Sequence, residues 1–155
     1  MLGIDTNVVI RLIVSDDAEQ TRRARKLIEQ ALSHDEPVLV SLLVLLESEW
    51  VLRSCYGFNR EAVLSIFRAL LEARELSFED EPALEEALFR WKDSACGFSD
   101  CLITAHNRQV GCRATATFDG KAARLPGNVA LSRRASREER KSPMARVGPW
   151  EPQVG

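Results

Sequence analysis

The stretch Met1-Leu2-Gly3-Ile4-Asp5-Thr6-Asn7 places a carboxylate directly behind a short apolar run. A run that short, followed at once by a helix-compatible segment, reads as a first strand buried on both faces. Asp5 then sits at the carboxyl end of that strand, where ligands bind in open parallel α/β sheets. Fold and function both turn on whether other carboxylates return to that point.

Working outward, Asn7 to Val14 is expected to be a short helix, and Asp16-Asp17 offers a cap for a second helix over Ala18 to Leu32. The apolar face of that second helix is Ala24, Leu27, Ile28, Ala31 and Leu32, with Arg22, Arg23, Arg25 and Lys26 on a solvated face. Pro37 to Ser41 reads as a second strand and Leu42 to Tyr56 as a strongly apolar helix ending near Gly57. Asn59 caps a helix over Arg60 to Ala73, and Glu75 to Phe78 is a third strand. Pro82 opens a helix to about Lys92, and Ser99 is expected to cap another through Gln109. Arg113 to Phe118 and Asn128 to Leu131 complete the strands. Strands alternating with helices call for a three-layer α/β/α fold on a mostly parallel sheet of four to five strands.

The chain of 155 residues fits one domain, expected over 1–131, and 45% hydrophobic with 28% charged residues is an ordinary globular balance. No apolar run approaches the ~20 residues of a spanning helix, and no secretory signal precedes the first strand, so cytoplasm is the expected location. Cys55, Cys96, Cys101 and Cys112 lack paired spacing and read as reduced thiols; His34 and His106 stand apart as structural or surface residues. Residues 132–155 carry a charge of +3 and read as a basic, flexible tail, which leaves −5 on the rest. A body that acidic suits a nucleic-acid substrate when its acids are gathered to hold cations.

Four acids are placed unusually. Asp5 ends the first strand; Glu47 lies within an apolar helix beside Leu45, Leu46 and Trp50; Asp100 opens a helix rich in Cys101, Leu102 and Ile103; Asp119 follows the fourth strand. Each alone reads as a cap, a turn residue or a surface acid. Together, beside residues expected to be buried, they form a set of like charges that needs a counter-cation. Hard oxygen ligands without His or Cys point to Mg²⁺, with Mn²⁺ as a substitute. Asp119, in a turn, is expected to be the most mobile of the four.

The ordered set Ile4-Asp5-Thr6-Asn7, Leu46-Glu47 running into Trp50-Val51-Leu52-Arg53, Phe98-Ser99-Asp100-Cys101, and Ala116-Thr117-Phe118-Asp119 with Leu125-Pro126-Gly127 resembles a PIN-domain ribonuclease. More narrowly it resembles the VapC-type toxins of bacterial toxin–antitoxin pairs, over about residues 1–131. The resemblance implies that Asp5, Glu47, Asp100 and Asp119 are the catalytic, metal-binding quartet, with Thr117, Asn7 and Thr6 as supports beside them. It implies a Mg²⁺-dependent endoribonuclease that forms a homodimer and is inhibited by a small antitoxin protein. Gly97 departs from the pattern, since close relatives often carry another acid there. Arg11, Arg53 and the Arg22–Lys26 cluster are candidates for RNA backbone contacts. Leu43, Trp50 and Val51 exceed what one core face needs and suggest a groove for a partner helix.

Three alternatives stand beside this reading. A haloacid-dehalogenase-like phosphohydrolase would use Asp5 as nucleophile, although position 7 is Asn rather than the second Asp of that pattern. A non-catalytic member of the same fold would have lost acids, and none is lost. A DNA-directed nuclease of the fold would be expected to carry inserted arches, for which the chain has little room.

Overall fold

The computed structural model describes residues 1–131. The segment 132–155, expected to be a basic tail, lies outside the described residues.

Among the described residues, five short parallel strands alternate with six helices. They are β1 (Leu2–Gly3), α1 (Thr6–Val14), α2 (Ala18–Ser33), β2 (Val38–Val40), α3 (Leu42–Ser54), α4 (Arg60–Glu72), β3 (Leu76–Phe78), α5 (Glu81–Asp93), α6 (Phe98–Gln109), β4 (Thr115–Thr117) and β5 (Asn128–Ala130). A single 3₁₀ turn, Ala122–Arg124, separates the last two strands. The strands are hydrogen-bonded as two ladders, β1-β2-β3 and β4-β5. Val38 pairs with Leu2 on one side and Leu76 on the other, so β2 is central to its ladder. Its Val38 and Val40 are fully buried, as β-branched residues of a central parallel strand should be. The expected α/β architecture is therefore present. Among the described residues, no helix is long and apolar enough to cross a membrane.

Local chemistry sets the helix starts. Asp17, Ser41, Asn59 and Asp80 each accept a hydrogen bond from the backbone N–H three residues on. Each satisfies one donor that a helix start would otherwise leave orphaned. Ser99 does not cap α6 as expected: Gly97 occupies that position, and the Asp100 carboxylate reaches back to the Gly97 N–H at 3.2 Å. The third residue of the helix thus supplies half of a capping box.

The core is aromatic where α4, α5 and α6 meet. Fully buried Phe67, Trp91 and Phe98 stack with Phe67–Phe98 and Trp91–Phe98 centroids 5.4 and 5.3 Å apart. The Arg60 guanidinium lies over the Trp91 ring and donates to the carbonyls of Trp91, Ser94 and Cys96. It closes the end of α5 and fixes the connection into α6. His106 on α6 meets the capping Asp80 of α5 at 2.7 Å and joins the same two helices again. The apolar stripe of α2 is narrower than expected. Ala24, Ile28 and Ala31 are buried with Thr21, whereas Leu27 and Leu32 remain exposed. All four cysteines are free; Cys96 and Cys101 are buried, Cys55 and Cys112 exposed.

Candidate active site

Asp5 is the N-cap of α1, and its Oδ1 accepts the Val8 N–H at 3.0 Å. The next residue, Thr6, is buried and donates its hydroxyl to Glu47 Oε2 at 2.5 Å. One turn therefore aims Asp5 and, through Thr6, holds a glutamate contributed by α3 far along the chain. Thr6 is thus bonded directly to one of the four acids. Asn7 is exposed at the next helical position.

The other two acids lie at the start of α6 and after the end of β4. Asp100 sits in the first turn of α6 with Oδ2 on the Gly97 N–H. Asp119 follows β4, and its Oδ1 accepts the Lys121 N–H at 2.6 Å and the Ala122 N–H at 3.0 Å. The Thr117 hydroxyl accepts the Asp119 N–H at 3.0 Å. These bonds hold Asp119 at the start of the turn that follows β4. Both carboxylates act on the intervening Cys96. Burial first, then Asp100 and Asp119, push its thiol above the usual range, with the Ser94 hydrogen bond and Lys121 opposing.

The four acids themselves stay in contact with solvent. Asp5, Glu47 and Asp119 are exposed and Asp100 is half-buried. Water screens their repulsion, and both Asp5 and Asp100 stand at helix N-termini, where the macrodipole favours negative charge. Asp5 Oδ2, Glu47 Oε1 and Asp100 Oδ1 meet no donor among the described residues, and none of the three acids has an ion pair there. Each carboxylate is thus oriented through one oxygen and open through the other. No three His, Cys, Asp or Glu side chains come together as a ready metal cage among the described residues. Mg²⁺ does not need one, since one or two carboxylates, waters and a substrate phosphate commonly complete its shell. Open carboxylate oxygens fit Mg²⁺ or Mn²⁺ and do not fit a closed zinc site.

The two arginines read as RNA contacts are committed within the protein. Arg11 meets Asp16 at 2.6 Å, Gln20 at 2.6 Å and the Tyr56 hydroxyl at 3.2 Å, tying α1 to α2 and to the end of α3. Arg53 meets Glu49 at 2.5 Å. Glu49, not Glu47, is the buried glutamate of α3, and burial pushes its carboxyl up against the opposing pull of Arg53. Lys121, Arg124 and Phe89, which the sequence did not single out, are all exposed and line one cleft with Cys96. Phe89 carried a signal: a large aromatic off the stripe Leu84, Ala87, Leu88 and Trp91.

Residues 3–128 match the family model described as the PIN domain. The chain belongs to the PIN-domain family. It is similar to a VapC ribonuclease of Aquifex aeolicus (strain VF5), 22% identical over 115 residues that cover 74% of this chain and 84% of that protein. No solved structure matches the chain. Membership sets aside the haloacid-dehalogenase-like alternative.

Proposed function

We propose that the chain is a Mg²⁺-dependent endoribonuclease of the VapC type, the toxin of a toxin–antitoxin pair acting in the cytoplasm. The observation that carries the reading is the set Asp5, Glu47 and Asp100, each oriented by a protein donor and facing no counter-cation among the described residues, within a PIN domain. Asp5, Glu47, Asp100 and Asp119 would hold Mg²⁺, with Mn²⁺ as a substitute. A metal held there would supply a water of lowered pKa and a charge to offset that on the scissile phosphate.

The chain's own residues do the positioning. The Val8 N–H and the Gly97 N–H keep Asp5 and Asp100 from turning away. Thr6 keeps Glu47 on the Asp5 side, and the turn at Lys121 and Ala122 keeps Asp119 in register with β4. The backbone at both helix starts adds partial positive charge that suits a phosphodiester. Asp5→Asn or Asp100→Asn should remove cleavage of RNA in Mg²⁺ with the fold intact. Full activity of both variants would overturn the assignment.

Inhibition follows the same charge pattern. Leu43 and Trp50, 76% and 59% exposed, flank Glu47 on one face of α3. A partner helix covering both would bring an Arg or Lys to the open carboxylates. Val51 is half-buried against the core and contributes less. Co-expression with a small protein encoded beside this one should give an inactive complex, and equal cleavage by the complex and the free chain would exclude occlusion. The homodimer implied by the resemblance is checked by sedimentation; a monomer at micromolar concentration would exclude it.

A further inference from the structure

We infer that the cleft between the end of α5 and the 3₁₀ turn after β4 binds the single-stranded RNA beside its cleavage point. The inference rests on the nuclease reading and deepens it. The cleft encloses about 460 Å³ and is lined by Phe89, Arg90, Cys96, Lys121, Arg124 and Leu125, among others. It joins the carboxylates through the backbone. Lys121, in the cleft wall, donates its N–H to Asp119, and Cys96, in the same wall, precedes the Gly97 whose N–H holds Asp100.

Its chemistry matches a single strand. Three cations, Arg90, Lys121 and Arg124, face one acid, Asp93. Lys121 and Arg124 make no ion pair among the described residues, whereas Arg90 meets Glu86 at 3.6 Å. Phe89 is 71% exposed, an aromatic face with no role in the core. Backbone-tracking cations beside an aromatic platform are how proteins hold single-stranded nucleic acid. The other clefts lack this combination. The larger one along α4 balances Arg60, Arg68 and Lys92 against Glu61, Glu72 and Asp93. The one on α2 is also cationic, with Arg22, Arg25 and Lys26 against Glu29, but its lining contains no aromatic and no residue bonded to one of the four site acids. Arg22 is in addition paired with Glu19.

The test is fluorescence anisotropy of a labelled single-stranded RNA in EDTA, where hydrolysis is silent, on the full chain. K121A/R124A should weaken binding about ten-fold at moderate salt and make the salt dependence shallower by a slope of about 1.4, the share of two phosphate contacts on a single strand. Phe89→Ala should weaken it by about ten-fold through loss of one stacked base. R74A/R113A, which removes two exposed cations before the amino ends of β3 and β4, should bind as wild type. Wild-type affinity in both cleft variants overturns the inference, while Mg²⁺-dependent cleavage by the wild-type chain would still uphold the nuclease reading. Failure of the wild-type chain to cleave RNA removes that reading, and the inference with it. If K121A/R124A keeps its RNA affinity but escapes inhibition by the partner protein, the cleft is a protein interface and the inference is overturned.

Discussion

Asp5 and Asp16 flank the same helix. Asp5 caps the start of α1, aimed by the Val8 N–H and facing no cation among the described residues. Asp16 follows the other end, where the Tyr56 hydroxyl and the Arg11 guanidinium hold it and keep its carboxyl below the usual range. In sequence the two look alike: each is an aspartate at a helix boundary. What separates them is the source of positive charge. An acid with its own arginine stitches α1 to α2 and α3; an acid left with only a backbone donor is free to hold a cation from solution.

The largest expected effect exploits that difference directly. Asp5→Asn should lower RNA cleavage by at least about a hundred-fold, the scale of several kcal/mol of metal-assisted stabilisation, with Tm almost unchanged. Asp16→Asn should do the opposite, lowering Tm while leaving the cleavage rate near wild type. Paired melting curves and cleavage rates check both, and equal kinetic losses would erase the distinction. Arg11→Ala sharpens it from the cation's side. It unties three partners at once, so Tm should fall by a few degrees, with cleavage at low temperature preserved. An RNA-binding role for Arg11 would instead raise KM at constant Tm.

Smaller effects concern single bonds. Thr6→Val removes the hydroxyl that holds Glu47, and kcat should fall by roughly three- to ten-fold, about the net worth of one ordinary hydrogen bond at an exposed carboxylate. Thr6→Ser should restore it. A Val variant with wild-type kcat would show that Glu47 needs no holding. The smallest effect is expected at Glu49. Its folded carboxyl titrates above the unfolded one because burial disfavours its charge. The folded state therefore binds the proton more tightly, and stability falls as pH rises from the unfolded pKa through the raised folded value. Glu49→Gln should flatten that part of the stability profile. A profile identical to wild type would place Glu49 outside the linkage.

Much of this was legible in the sequence. The alternation of short apolar runs with amphipathic segments sufficed for the α/β class, because period and length distinguish strands from helices locally. Asp5 and Thr6 could be singled out at an element boundary, and Glu47 as an acid inside an apolar helix. Tertiary relations were less visible. That Glu49 rather than Glu47 is the buried glutamate depends on which face of α3 meets the core, and a helix apolar on nearly all sides does not declare its face. That Arg11 folds back on Asp16 depends on the turn at Ser15, whose left-handed φ of 54° reverses the chain. Gly97 took the cap expected of Ser99 because Asp100 supplied the missing acceptor from inside the helix. The cationic cleft unites residues of α5 and the turn after β4, and nothing in either stretch alone announces the other.

The most direct test is Mn²⁺ binding to the full chain, followed by the loss of the free-ion signal in electron paramagnetic resonance, in wild type, D5N/D100N and D16N. Wild type and D16N should bind alike, and D5N/D100N should lose the site while melting as a folded protein. Equal Mn²⁺ binding by wild type and D5N/D100N would contradict the claim that the carboxylates at the strand and helix ends are where the metal is held.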